Sequence, residues 1–152
     1  VDDIHRWGAE QNFTKAFGHT IESVLNHDGE LDFAYFSEEK LDEEKQNAIY
    51  RVIATNVIIE GFNGRLILSG NKITDVTQIG EALKTNNTLT DLYLEDNIIT
   101  DVTQIGEALK TNNTLANLYL SGNKITDVTQ IGEALKTNNT LTNVCLRDNE
   151  IT

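Results

Sequence analysis

The second half of this chain repeats itself every 26 residues, and nothing else in the sequence limits its fold as strongly. Residues 71–96 read NKITDVTQIGEALKTNNTLTDLYLED, residues 97–122 read NIITDVTQIGEALKTNNTLANLYLSG, and residues 123–148 read NKITDVTQIGEALKTNNTLTNVCLRD. A further copy opens at Asn149 as NEIT. Of the 26 positions, 19 are identical in all three copies. A unit this short cannot bury an apolar face alone, so the copies must stack on one another around a continuous core.

Each unit carries two periodicities. The stretch around Leu92, Tyr93 and Leu94 alternates apolar and variable residues, which is the period of a strand. Val76, Ile79, Ala82 and Leu83 fall on one face of a helix. Asp75 and Gln78 have the spacing of a capping box at its start. Asn86 and Asn87 are expected to stop it, because Asn tolerates left-handed backbone. Strand and helix in every unit predict a parallel sheet on one side of the stack and helices on the other.

The strand and its exit read LxxLxLxxNxI, with Leu89, Leu92, Leu94, Asn97 and Ile99 as one example. The pattern recurs around Asn123. It recurs around Asn149 with Val144 as the middle residue, and around Asn71 as Leu66, Leu68 and Ile73. In this the sequence resembles the leucine-rich-repeat family, over about residues 64–152. The resemblance implies an α/β fold: a right-handed solenoid with a concave parallel sheet, convex helices and a helical N-terminal cap. The 26-residue unit with the helical stretch DVTQIGEAL is similar to a shortened ribonuclease-inhibitor type. Asn71, Asn97, Asn123 and Asn149 are expected to form a structural ladder that satisfies backbone groups where the chain leaves each strand. The triplets at Asn86, Asn112 and Asn138, and Asn12-Phe13-Thr14, match a glycosylation acceptor pattern but are expected to be loop residues, carrying glycans only in a secretory context.

Residues 1–61 do not repeat and are expected to form a capping region, with the repeats over 62–152. Phe13, Ala16, Phe17, Ile21, Val24 and Leu25 lie on one helical face, and Asn26-His27-Asp28-Gly29 is expected to end that helix. Glu30–Phe36 suggests an irregular first strand, with Leu31 and Phe33 as its core residues and Phe36 in place of the ladder Asn. Ser37, Glu38 and Glu39 are expected to open a second helix, with Leu41, Ala48, Ile49, Val52 and Ile53 on its inner face. Gly61 and Gly64 then turn the chain into a strand over Arg65–Ser69.

The seven positions that vary between copies point to a function. One follows the ladder Asn, and the other six lie in the strand segment; the helix from Asp75 to Leu83 is copied unchanged, exposed positions Thr77, Gln78 and Glu81 included. Because strand residues alternate sides, the solvent-facing columns are Arg65, Asp91, Asn117 and Asn143; Ile67, Tyr93, Tyr119 and Cys145; and Ser69, Glu95, Ser121 and Arg147. Exposed tyrosines on adjacent strands, flanked by mixed charge, are typical anchors of a protein interface. These twelve residues are the expected binding surface for a protein partner. The alternative is an assembly element that self-associates through an uncapped C-terminal edge, since no helix follows Val144 and Leu146 before Thr152. The same edge is equally read as a natural continuation beyond Thr152.

Composition excludes other classes. A net charge of −12 disfavours nucleic acid, whose phosphates such a surface repels. Acid is concentrated in the first 61 residues, which hold 13 Asp and Glu against 5 Lys and Arg. No stretch approaches the length of a membrane span. The chain starts at Val1 and holds no Met, so the lack of a signal peptide is weak evidence on export. Cys145 is the only cysteine, so disulfides do not hold the fold and a reducing compartment, the cytoplasm of its own or a host cell, is favoured. No zinc spacing, phosphate loop or nucleophile elbow is present, His5, His19 and His27 are remote in sequence from Cys145, and Asp28, Glu30 and Asp32 beside His27 read as a solvated turn. Neither catalysis, a cofactor nor a metal is expected.

Overall fold

The computed structural model describes residues 3–35 and 41–152. Five parallel strands form one sheet in sequence order: β1 (Leu31–Asp32), β2 (Arg65–Ile67), β3 (Asp91–Tyr93), β4 (Asn117–Tyr119) and β5 (Asn143–Cys145). The helices are α1 (Asp3–Phe17), α2 (Glu43–Ala54), α3 (Thr77–Thr85), α4 (Thr103–Leu109) and α5 (Thr129–Leu135). Each helix from α2 onward packs on its neighbour, and α1 packs on α2. Parallel strands on one side and stacked helices on the other make the solenoid that the sequence resemblance implies, with the sheet as its concave side. From β2 to β5 the pairing register equals the sequence period, so Leu66, Leu92, Leu118 and Val144 stand side by side. Leu66, Leu92 and Leu118 are fully buried, as are Leu68, Leu94 and Leu120 on the next inward position.

Two asparagine ladders hold the turns. Asn97 Oδ1 accepts the N–H groups of Asn71 and Ile73, and its Nδ2 donates to the carbonyls of Leu68, Leu94 and Glu95. Asn123 and Asn149 repeat the arrangement one and two turns on. Asn71 donates to the carbonyls of Phe33 and Leu68, tying β1 to the array. The second ladder comes from residues read in the sequence as loop. Asn86, Asn112 and Asn138 donate to the carbonyls of Ile53, Leu83 and Leu109 at 2.9, 2.8 and 2.7 Å. Each accepts two backbone N–H groups of its own loop, Thr88 and Leu89 in the first copy. Asn86 therefore does not end α3 through left-handed backbone, since its φ is −71°. It caps the loop with its side chain. Asn86 and Asn112 are buried, so neither amide is available to a glycan.

The capping box at Asp75 is also replaced. Asp75 Oδ1 accepts the N–H of Thr77, two residues on, rather than that of Gln78. Asp101 and Asp127 do the same with Thr103 and Thr129. Hydrogen bonding to Thr77 holds the Asp75 carboxyl below its ordinary value. The turn is tighter than a capping box because the helix starts only at Thr77, behind a buried Val76.

The N-terminal segment departs furthest from expectation. α1 ends at Phe17, not near Gly29: Gly18 takes φ +77° and its N–H closes on Thr14. Ile21, Val24 and Leu25 follow on a single 3-10 turn over Glu22–Val24, and still face the core. Asn26 organises the next loop by accepting the N–H groups of Asp28 and Glu30. β1 covers only Leu31–Asp32, with Leu31 opposite Leu66, and Phe33 extends the pairing through its N–H to Ile67. Phe36, Ser37, Glu38 and Glu39 lie outside the described residues. α2 is opened by Asp42, whose side chain accepts the N–H of Lys45, so Leu41 is a buried residue ahead of the helix. Phe13 stacks on Phe17 with ring centroids 4.3 Å apart, and Phe33 closes on Phe17 at 5.4 Å.

Candidate binding face on the concave sheet

The repeat period sets which side chains share the concave face, because strand residues 26 apart are partners from β2 to β5. The first column begins with Arg65 opposite Asp91, Asn117 and Asn143. Asp91 does not face solvent as the alternation alone predicts; it is only 7% exposed. Arg65 Nε donates to its Oδ2 at 3.0 Å and Asn117 Nδ2 to its Oδ1 at 2.6 Å, closing over it from both neighbouring strands. Arg65 also pairs with Glu30 at 3.5 Å. Its guanidinium is thus committed within the fold, and the hydrogen bond to Asp91 pushes its pKa further up.

The second column holds Ile67, Tyr93, Tyr119 and Cys145. The Tyr93 and Tyr119 rings stack, with centroids 4.5 Å apart and planes 16° from parallel. Such a pair contributes about 0.5–1.5 kcal/mol beyond its buried area. Both rings are half-buried, so an edge of the stack remains on the surface. Burial, with Tyr119 and Asp91 close by, raises the Tyr93 phenol above its ordinary value.

The third column runs beyond the regular strands, where the ladder continues through the N–H groups of Gly70, Asp96 and Gly122 to the carbonyls of Glu95, Ser121 and Arg147. Ser69, expected on the surface, is buried at 7% exposure. The residue that alters this corner is Tyr35, which the sequence pattern did not single out. Its N–H donates to the Ser69 carbonyl, and its ring lies across Gly70, where a Cβ would collide with it. Its hydroxyl reaches Asp96 Oδ2 at 2.8 Å, and that hydrogen bond raises its own pKa. Tyr35 takes φ +50°, an uncommon conformation for a residue with a side chain, and remains 61% exposed. Glu95 is half-buried beside this bridge, and Arg147 is exposed.

Other chemistry is sparse. Among the described residues no group of three His, Cys, Asp or Glu side chains could hold a metal ion, and Glu30 is occupied by Asn26 and Arg65. Cys145 is a free, partly exposed thiol. No helix of the described residues is long and apolar enough to cross a membrane. A shallow hollow lined by Val102, Thr103, Asp127, Thr129 and Gln130 shares no residue with the sheet.

No family model matches the chain, and no curated protein matches it. Solved structures do. The actin-binding site 2 of leiomodin-1 superposes with a TM-score of 0.70 at 22% identity, over 90% of this chain and 77% of that one. The Chaetomium Mex67:Mtr2 subunits give 0.59 at 22% identity, over 88% of each chain. An internalin of Listeria monocytogenes gives 0.54 at 21% identity, over 99% of this chain and 44% of that one. At these identities the likeness defines the class by fold, and that class is the leucine-rich-repeat solenoid.

Proposed function

We propose that this chain is a non-catalytic recognition module that binds a protein partner through its concave sheet. The observation that carries this reading is the stacked Tyr93–Tyr119 pair, whose partly exposed rings occupy the middle of the sheet at positions that vary between otherwise copied repeats. The surrounding surface is formed by Arg65, Ile67, Asn117, Asn143, Cys145, Glu95, Ser121 and Arg147, with Asp91 and Ser69 beneath it. Residues 1–61 cap the array and lend Glu30 and Tyr35 to the same face. The actin-binding region among the similar folds is consistent with a protein partner for this one, though not with any particular partner.

The test uses a partner captured from lysate by the wild-type chain and then purified. Replacing Tyr93 and Tyr119 together by Ala should weaken its binding by about 2 kcal/mol or more, roughly thirtyfold in Kd. Circular dichroism checks that the double variant remains folded. Unchanged affinity in a folded variant would place recognition elsewhere on the molecule.

A further inference from the structure

We infer that the partner meets this face with a basic segment, one of whose Arg or Lys side chains docks on Glu95 between the Tyr93–Tyr119 stack and Tyr35. The inference rests on the concave-face reading above and adds the chemistry of what binds there. Charge gives the first argument. On the turns of β1 to β3 the face carries Glu30, Asp32, Asp91, Glu95 and Asp96 against the guanidinium of Arg65, with Arg147 two strands further along the column of Glu95. Arg65 is already shared between Glu30 and Asp91, so it does not reach the remaining carboxylates.

Glu95 gives the second. Asp96 accepts from Tyr35, Asp91 from Arg65 and Asn117, and Glu30 from Asn26, but the Glu95 carboxylate has neither a hydrogen bond nor an ion pair among the described residues. It is nevertheless half-buried. A partly desolvated carboxylate without a partner is stabilised by a cation that brings its own hydrogen-bond donors. On the side away from Tyr35 its neighbour in the column is Ser121, small and partly exposed, which leaves room for an incoming head group.

The aromatic rings give the third. Tyr93 lies two residues before Glu95 on the same side of the strand. On the other side Tyr35 reaches Asp96, the residue after Glu95, and Glu95 lies close enough to act on the Tyr35 phenol. An aromatic surface beside a carboxylate favours a cation twice, through the ring quadrupole and through direct charge pairing. An acidic partner would meet uncompensated repulsion at the same place.

The experiment titrates the whole chain with fluorescein-labelled peptides that alternate Gly with Arg, or Gly with Glu, and follows anisotropy. The Gly-Arg peptide should bind and the Gly-Glu peptide should not. Glu95→Gln should weaken the Gly-Arg peptide about tenfold, whereas Glu81→Gln on α3, which removes the same charge from the convex side, should change it less than about twofold. Because no described residue pairs with the Glu95 side chain, the variant should melt with the wild type, and a melting scan checks that. Equal weakening by the two variants would overturn the inference and leave only non-specific attraction to an acidic protein. The captured partner separates the two claims. If it is lost from Tyr93→Ala/Tyr119→Ala but unaffected by Glu95→Gln, the concave face stands and the basic contact falls. If the tyrosine variant retains it, the concave-face reading itself fails.

Discussion

The repeats and the N-terminal segment solve the same packing problem with different chemistry. In the repeats, each turn is held by short aliphatic side chains and two asparagine ladders, and the ladder bond to the N–H of Ile73 recurs at Ile99 and Ile125. In the N-terminal segment no turn is templated, and the space is filled by large rings, Phe13 on Phe17 with Phe33 behind, and by the buried Tyr50. The difference teaches where novelty enters such a fold. Repetition fixes the backbone, while the irregular turn carries in side chains that no repeat supplies, among them Glu30 and Tyr35 on the concave face.

If the two regions differ in this way, they should fail differently. Phe13→Ala removes a fully buried ring and should cost about 3–5 kcal/mol, read as a lower urea midpoint. Asn97→Ala removes little volume but strands the N–H groups of Asn71 and Ile73, while the carbonyls of Leu68, Leu94 and Glu95 keep donors from Asn71, Asn123 and Gly70, for a loss on the order of 3 kcal/mol. A much smaller loss at Asn97 would mean that the ladder is ornament and that aliphatic burial alone holds the repeats.

A smaller effect tests whether identical copies are energetically identical. A Cβ on Gly106 would meet the Gln130 backbone at 2.7 Å, and one on Gly80 would meet the Gln104 backbone at 2.8 Å. The matching Gly132 has nothing within 4 Å. Gly106→Ala should therefore destabilise by about 1–3 kcal/mol through forced separation of α4 and α5. Gly132→Ala, in the same sequence context, should stabilise by up to about 1 kcal/mol through helix propensity. Equal effects in thermal melts would contradict the packing described for the helices. A change of similar size is expected at Tyr50, whose buried hydroxyl has no hydrogen-bond partner among the described residues. Burial holds that phenol far above its ordinary value, and Tyr50→Phe should be neutral or stabilise by less than about 1.5 kcal/mol.

The same contrast explains which features are legible in the sequence. Solenoid architecture, strand register and the three concave columns follow from the period, because a residue and its copy 26 positions on become neighbours. Burial within those columns does not follow from it. Asp91 is covered because Arg65 and Asn117, one turn before and after, both reach it, and alternation along its own strand carries no word of that. Ser69 and Gly70 sit under a loop from a segment without periodicity, so no pattern marks Tyr35 as their neighbour. The role of Asn86 is hidden for a different reason: Asn stops helices by backbone or by side chain, and the residue type is the same in both. In the N-terminal segment, Gly18 ends a helix that apolar spacing alone would continue.

The central claim, that recognition occurs on the concave sheet, is tested most directly by amide hydrogen exchange of the chain with and without its captured partner. The account predicts slowed exchange in peptides covering Tyr93–Asp96, Tyr119–Gly122 and Cys145–Asp148, with α3, α4 and α5 unchanged. Protection confined to the helices, with the strand exits exchanging as in the free chain, would contradict it.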